Sequence, residues 1–274
     1  MCFKIFNRVI TYTILVVVLI ITCVPFLWML IISFQETNTL FTTLDQLTPD
    51  KIIFTNYIRV LKESPFLRWI FNSLLVAVSA TLTNLLFCSM AGYVFAKRQF
   101  VGKNQIFLIL MATMMIPKQV ILIPLFILIR DLGMVNTYWA LILPMSVDAF
   151  GIFLMRQFIT QIPNEIEEAA IIDGCSEWKV FLRIILPLCK PALSSLAIFI
   201  FMWNWNDFVW PLIAVTDAKM RTVTVGVTIF EGRYLSNWGI VMASCVLALI
   251  PMVTVYILLQ KYFVQGVAMT GIKG

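Results

Sequence analysis

The chain has 274 residues, 61% hydrophobic and 12% charged, with 20 Lys and Arg against 14 Asp and Glu and a mean hydropathy of +0.95. That charge fraction is about half the ~25% usual for soluble domains, and a soluble fold of this length has no room to hide so much apolar surface. The absence of histidine removes imidazole acid–base work, histidine metal sites and the Ser-His-Asp triad together.

What remains is an all-α integral membrane protein. A hydrocarbon core of ~30 Å takes ~20 residues of helix, and the charges divide the chain into six runs of suitable length: residues 10–33, 69–95, 104–127, 136–156, 189–213 and 239–261. The runs are continuously apolar, without the alternation of membrane strands. Lys4 and Arg8 precede the first run as they would a signal peptide. The run is too long for that and no A-x-A-like site follows it, so a retained span is expected. The connection Glu36–Arg68 holds an amphipathic stretch, Ile52–Leu61, suited to a membrane surface. With the N-terminus inside, eleven Lys and Arg fall on inner segments and eight on outer ones, which favours cytoplasmic termini. The basic balance thus reflects topology, and no nucleic-acid partner is expected. The six cysteines show no C-x-x-C spacing and read as small apolar residues.

Charge at membrane depth marks a functional site by default. Span three carries Lys118, span four Asp148 and span five Asp207. At ~1.5 Å per residue, Lys118 stands ~22 Å above Lys103 and Asp207 ~25 Å above Lys190. The two are expected either to pair inside the bundle or to reach the outer interface separately. Asp148 lies nearer the middle, where it lines a water-filled path or bonds to a neighbouring helix.

Residues 157–188 form the one sizeable inner loop and predict two short helices. Asn164 is placed to cap the first, with Glu167 three residues on and Glu165, Glu167 and Glu168 near its positive end. Gly174 is placed to stop it, and Ser176 to cap the second, which runs to Leu186 before Pro187. A helix of about nine residues is below the ~12–15 that hold together alone in water, so the first needs a surface to lean on. That surface is the membrane or its own bundle, or else a partner protein.

In span five, Trp203 and Trp210 are seven apart, and Asn206 and Trp210 four apart, so they are expected to share a helix face. Aromatic faces beside an amide and the Asp207 carboxylate suit a sugar; the same residues also suit an aromatic belt at the outer interface. There is no internal repeat and no G-x-x-x-x-G-K-[ST] phosphate loop. No catalytic residue and no metal site are expected.

Glu168-Ala169-Ala170, three residues, Gly174, nine residues, then Ile184-Ile185-Leu186-Pro187 resemble the EAA loop of ABC importer permeases at every defined position. The rest of the chain resembles the carbohydrate-uptake branch and is similar to the smaller maltose-type permease subunit. Asn56-Tyr57, Asn72-Ser73-Leu74, Ile116-Pro117 with Ile123-Pro124, Asn136-Thr137-Tyr138-Trp139, Trp205-Asn206-Asp207-Phe208-Val209-Trp210-Pro211-Leu212 and the terminal Gly266…Gly271-Ile272-Lys273-Gly274 carry that resemblance over nearly the whole length.

The resemblance implies a type I ABC importer-like permease bundle, multi-pass in the plasma or inner membrane of a prokaryote. It implies a second permease subunit of different sequence and two cytoplasmic ABC ATPase subunits, which hold the ATP and magnesium. It also implies an extracellular or periplasmic solute-binding protein that delivers a sugar. Residues 164–175 would be the coupling helix. Glu168 offers a carboxylate, Ala169 and Ala170 allow close approach, and Asp173 and Gly174 set the exit, with Ile184, Leu186 and Pro187 completing the attachment. Lys118, Asp148, Trp203, Asn206, Asp207 and Trp210 are candidates for the translocation path, and Lys273 for a further ATPase contact. The EAA loop does not specify cargo, so glycerol phosphate, polyamines and phosphonate stay open. A self-contained secondary transporter is the alternative from another class, and the inverted repeats it would carry are not visible.

Overall fold

The computed structural model describes residues 2–37, 52–234 and 237–271, and among them all regular structure is helical. Lys51 and Lys273 lie outside the described residues. In chain order the helices are α1 (Cys2–Ser33), α2 (Thr55–Glu63), α3 (Phe66–Lys97), α4 (Lys103–Thr113), α5 (Leu122–Asp131), α6 (Tyr138–Ile142), α7 (Ala149–Thr160), α8 (Asn164–Ile172), α9 (Glu177–Val180), α10 (Leu186–Leu188), α11 (Lys190–Asn206), α12 (Val209–Ala214), α13 (Val223–Arg233) and α14 (Trp238–Gly271).

Three of these are long and apolar enough to cross a membrane unaided: α1, α3 and α14. Three further crossings are reached only by counting bent pairs as single spans. The pair around residues 114–117 bends by 91°, that around 146–148 by 41°, and α9–α10 meets α11 at 77°. The sequence predicts unbroken spans over 104–127, 136–156 and 189–213; all three contain breaks. Pro117 lacks an N–H and pushes Ile116 out of helical geometry, so α4 cannot continue into the 3-10 turn Lys118–Ile121. Asp207 is extended (φ −66, ψ 127), which ends α11 and separates it from α12.

Tertiary contacts group the chain into two units, residues 1–67 with 226–251 and residues 68–225 with 252–274. In the first unit, the side chains of α1 from Val9 to Leu30 are almost all exposed, as suits a helix solvated by lipid. Two of its hydroxyls, those of Thr11 and Thr22, are satisfied within the helix by donating to the carbonyls four residues back at 2.8 Å. The C-terminal carbonyls of α1 are closed by α2, the expected amphipathic stretch. Asn56 Nδ2 donates to Ser33 O at 3.0 Å and Gln35 O at 2.8 Å, while the Tyr57 and Ser33 hydroxyls meet at 2.6 Å.

In the second unit α3 is the spine. Small residues let it approach α7 closely: a Cβ on Gly92 would meet Met155 Cβ at 2.6 Å, and one on Gly151 would meet Asn84 and Cys88 at 2.8 Å. Around one end of α3, Tyr93 and Phe95 pack with Met155, Ile159, Ala170, Phe181 and Ile185. Near the other end, Val76 packs with Ile129, Leu141, Trp210 and Ala214.

That second end is closed by a polar clasp. Asn72 Nδ2 donates to Lys219 O and Arg221 O at 2.8 and 2.9 Å, and its Oδ1 accepts the Tyr138 hydroxyl at 2.7 Å. Ser73 Oγ accepts Val223 N–H, and Asn136 Oδ1 accepts the N–H groups of Thr216 and Asp217. Thr137 caps α6 by accepting Ala140 N–H. Segments far apart in the sequence therefore meet to satisfy backbone groups that no helix serves.

Candidate functional site

Helix α8 forms the predicted loop helix and stops where expected. Gly174 has φ +79, the Gly174 N–H bonds Ile171 O and the Cys175 N–H bonds Ala170 O, both at 3.0 Å. This is a Schellman closure, which requires a residue at ease in left-handed geometry. The start of α8 differs from expectation. Pro163 takes the N-cap position, and Asn164, already helical, accepts a hydrogen bond from Lys97 Nζ at 2.7 Å. Ser176 holds the N-cap position of α9 without a side-chain hydrogen bond, and a π turn over Phe181–Ile185 interrupts the second helix.

Glu167 does not reach back to close a capping box. It is 5% exposed and points at the end of α3, where its Oε1 accepts the Tyr93 hydroxyl at 2.7 Å and lies 2.5 Å from Arg98 Nη1. Arg98 also stands 3.6 Å from Glu177 and lies over the Tyr93 ring. Burial depresses the proton affinity of the Arg98 guanidinium, but the hydrogen bond to Glu167, with Tyr93 and Glu177 nearby, holds it above its ordinary value. The clamp therefore keeps its cation at any pH the protein meets.

The clamp sorts the other loop residues. Ala170 faces inward with Glu167 and is 7% exposed, in the cluster with Tyr93 and Phe181. Glu168, Ala169, Asp173 and Gly174 are exposed; so are Ile171, at 48%, and Ile172, at 85%. Ile184 and Leu186 are half-buried, and Pro187 is exposed. A short helix thus presents an apolar outward face while a buried carboxylate pins its inner face.

Of the charges inside the spans, Lys118 pairs with Asp148, Nζ to Oδ2 at 3.3 Å. The pairing expected with Asp207 is not formed, since the carboxylate that Lys118 meets is that of Asp148. Asp148 has a second role that its sequence position conceals. It is the N-cap of α7, with Oδ1 accepting Phe150 N–H at 2.9 Å.

The two tryptophans of span five separate. The break at Asp207 places Trp203 on α11 and Trp210 on α12, so the shared face predicted for Trp203, Asn206 and Trp210 does not exist. Trp210 is 2% exposed and donates to Ala140 O at 2.9 Å, which makes it a core residue. Trp203 is 44% exposed, lies under the Lys118 ammonium, and is flanked by Phe150 and Phe199. Asn206 is exposed. Lys118, Asp148 and Trp203 therefore come together, and Trp210 leaves the group.

Tyr93 and Arg98 are functional neighbours that sequence reasoning missed. The one available signal was a boundary arginine preceding a loop with five acidic residues.

Residues 88–269 match the family described as binding-protein-dependent transport system inner membrane component. The arabinooligosaccharides transport system permease protein of Halalkalibacterium halodurans is 36% identical over 227 residues, 82% of this chain and 81% of that protein. The trehalose/maltose transport system permease protein of Thermococcus litoralis is 36% identical over 260 residues, 93% of each. Among solved structures, a chain of a bacterial ABC transporter involved in import of the acidic polysaccharide alginate superposes with a TM-score of 0.82. It is 26% identical, over 95% of this chain and 97% of that one.

Proposed function

Since the chain belongs to the binding-protein-dependent transport system inner membrane component family, we propose that it is a permease subunit of an ABC importer for a saccharide. In this reading it forms half of the translocation path. A second permease of different sequence forms the other half, two cytoplasmic ATPases supply the energy, and a binding protein outside delivers the cargo. The chain crosses the membrane six times with both termini in the cytoplasm, in keeping with the excess of Lys and Arg on the segments assigned inside.

The observation that carries the reading is α8: an exposed apolar face on a helix too short to stand alone, fastened by Glu167 to the end of a spanning helix. Such a helix suits a partner that pulls on it. Glu168, Ala169, Asp173 and Gly174 lie on its outward side and would meet the ATPase. Ala170 supports them from beneath.

The test is to purify the tagged chain from its native membrane and reconstitute the complex. An ATPase subunit should co-purify, and uptake of saccharide should require ATP inside and the binding protein outside. Uptake by the chain alone, driven by an ion gradient without ATP, would overturn the proposal. A ligand screen on the cognate binding protein then identifies the cargo.

A further inference from the structure

We propose that Lys118, Asp148 and Trp203 form a saccharide-contact site in the translocation path, one whose balanced charge takes an uncharged sugar unit in preference to a uronate. The inference rests on the importer reading above and narrows its substrate class.

The argument begins with backbone. Three helix breaks converge here: Lys118 follows the break after α4, Asp148 ends the break before α7, and Trp203 stands one turn before the break after α11. Each lies well inside the membrane, since 11 residues of α4, 12 of α7 and the first 13 of α11 separate the site from the inner ends. At 1.5 Å per residue these are ~16–20 Å. Interrupted backbone at such depth persists only where protein covers it or where it lines a watered cavity.

Side-chain exposure rules out a lipid-facing position. The Lys118 side chain is 63% exposed and that of Asp148 23%. An ion pair so open cannot face hydrocarbon at acceptable cost. Its open side faces either the second permease or the path, and the sugar-binding groups beside it favour the path.

The groups present are those a sugar unit uses. The Trp203 ring is held between Phe150 and Phe199, at centroid distances of 5.4 and 6.1 Å, so its open surface is fixed before any ligand arrives. A flat apolar surface of that kind accepts the C–H face of a pyranose or furanose. Beside it, the Lys118 ammonium offers donors and the Asp148 carboxylate acceptors. Hydroxyl groups need that mixture.

The charges decide the class. Lys118 and Asp148 form an ion pair at 3.3 Å, so Lys118 already has its counter-charge. A uronate would have to compete with Asp148 for Lys118. Moving an unpaired charge from water into such a place is disfavoured.

The test uses the whole importer, with its partner subunits, in nanodiscs. Saturation-transfer NMR measures binding of maltotriose and arabinotriose as uncharged probes and of an alginate trisaccharide as the acidic one. Asp148→Asn keeps an N-cap for α7 and removes one negative charge, so relative binding of the acidic probe should rise about tenfold. Lys118→Gln should move the same ratio the opposite way, and Trp203→Ala should reduce binding of every probe about tenfold. Gel filtration and thermal unfolding identify any variant that fails to assemble, and the remaining variants then decide. If both charge variants scale all probes equally, or wild type binds none, the pair is packing against the second permease and the site is refuted. Failure of an ATPase to co-purify would instead refute the importer reading.

Discussion

Glu167 on α8 and Gly174, just past its end, lie seven residues apart and act in different ways. Glu167 is a buried carboxylate whose counter-charge comes from another element, and Arg98 answers it at 2.5 Å. Replacing Arg98 by Gln leaves that carboxylate buried without its cation, at about 3 kcal/mol, the low end of the range because Arg98 is partly exposed. Thermal unfolding of the complex should register the loss, and ATP hydrolysis should continue with less uptake per ATP. Adding Glu167→Gln to Arg98→Gln should restore part of the stability, because no buried charge is then left unpaired. If the double variant recovers nothing, charge pairing is not what Arg98 contributes. Gly174 acts through backbone alone, since no atom lies within 4 Å of where its Cβ would be. Gly174→Ala should cost about 1 kcal/mol and Gly174→Asn less, because Asn tolerates positive φ. Limited proteolysis of the loop can rank the three. Gly174 was legible in the sequence because a helix stop is written in neighbouring residues. The partners of Glu167 were not, since Tyr93 and Arg98 are brought to it by the packing of α3 against α7, and nothing local encodes that contact.

At the scale of elements, the breaks in the spans reassign the polar and aromatic residues along them. The described residues hold three helices long and apolar enough to cross, and up to six crossings when each bent pair counts as one. Length and hydropathy predict six. They say nothing of interruptions, because Pro117 and Asp207 alter direction without altering average polarity. A helix drawn straight through Asp207 puts Trp203 and Trp210 on one face; the actual break sends Trp210 into the core against Ala140. Trp210→Phe should therefore cost about 2 kcal/mol, from a lost hydrogen bond and a small void. It should leave the relative binding of neutral and acidic saccharides unchanged, as the NMR assay would show. The segments Asn72-Ser73, Asn136-Thr137 and Tyr138, quoted for their resemblance, serve the clasp that closes one end of the second unit. Their part in the fold is to satisfy backbone groups where helices stop.

For the molecule as a whole, topology and partner attachment can be checked at a single position. Ile172 is 85% exposed on α8, and in the proposed reading an ATPase on the cytoplasmic side would cover it. Ile172→Cys, in a background without other cysteines, should react with a membrane-impermeant maleimide only from the cytoplasmic face, and only after the ATPase has been stripped away. Labelling from outside would invert the topology; equal labelling with the ATPase in place would move the attachment elsewhere. Helix α3 is one of the three long helices without a break. From Asn72 in the clasp to Tyr93 against Glu167, α3 runs uninterrupted for 21 residues, about 32 Å. A rod held at both ends carries a message in either direction. If nucleotide on the partner changes the hold at Tyr93 and thereby the clasp, an event at the clasp must change the hold by the same free energy. On this account whatever docks at the clasp is felt at the α8 end through the same helix, and the reverse.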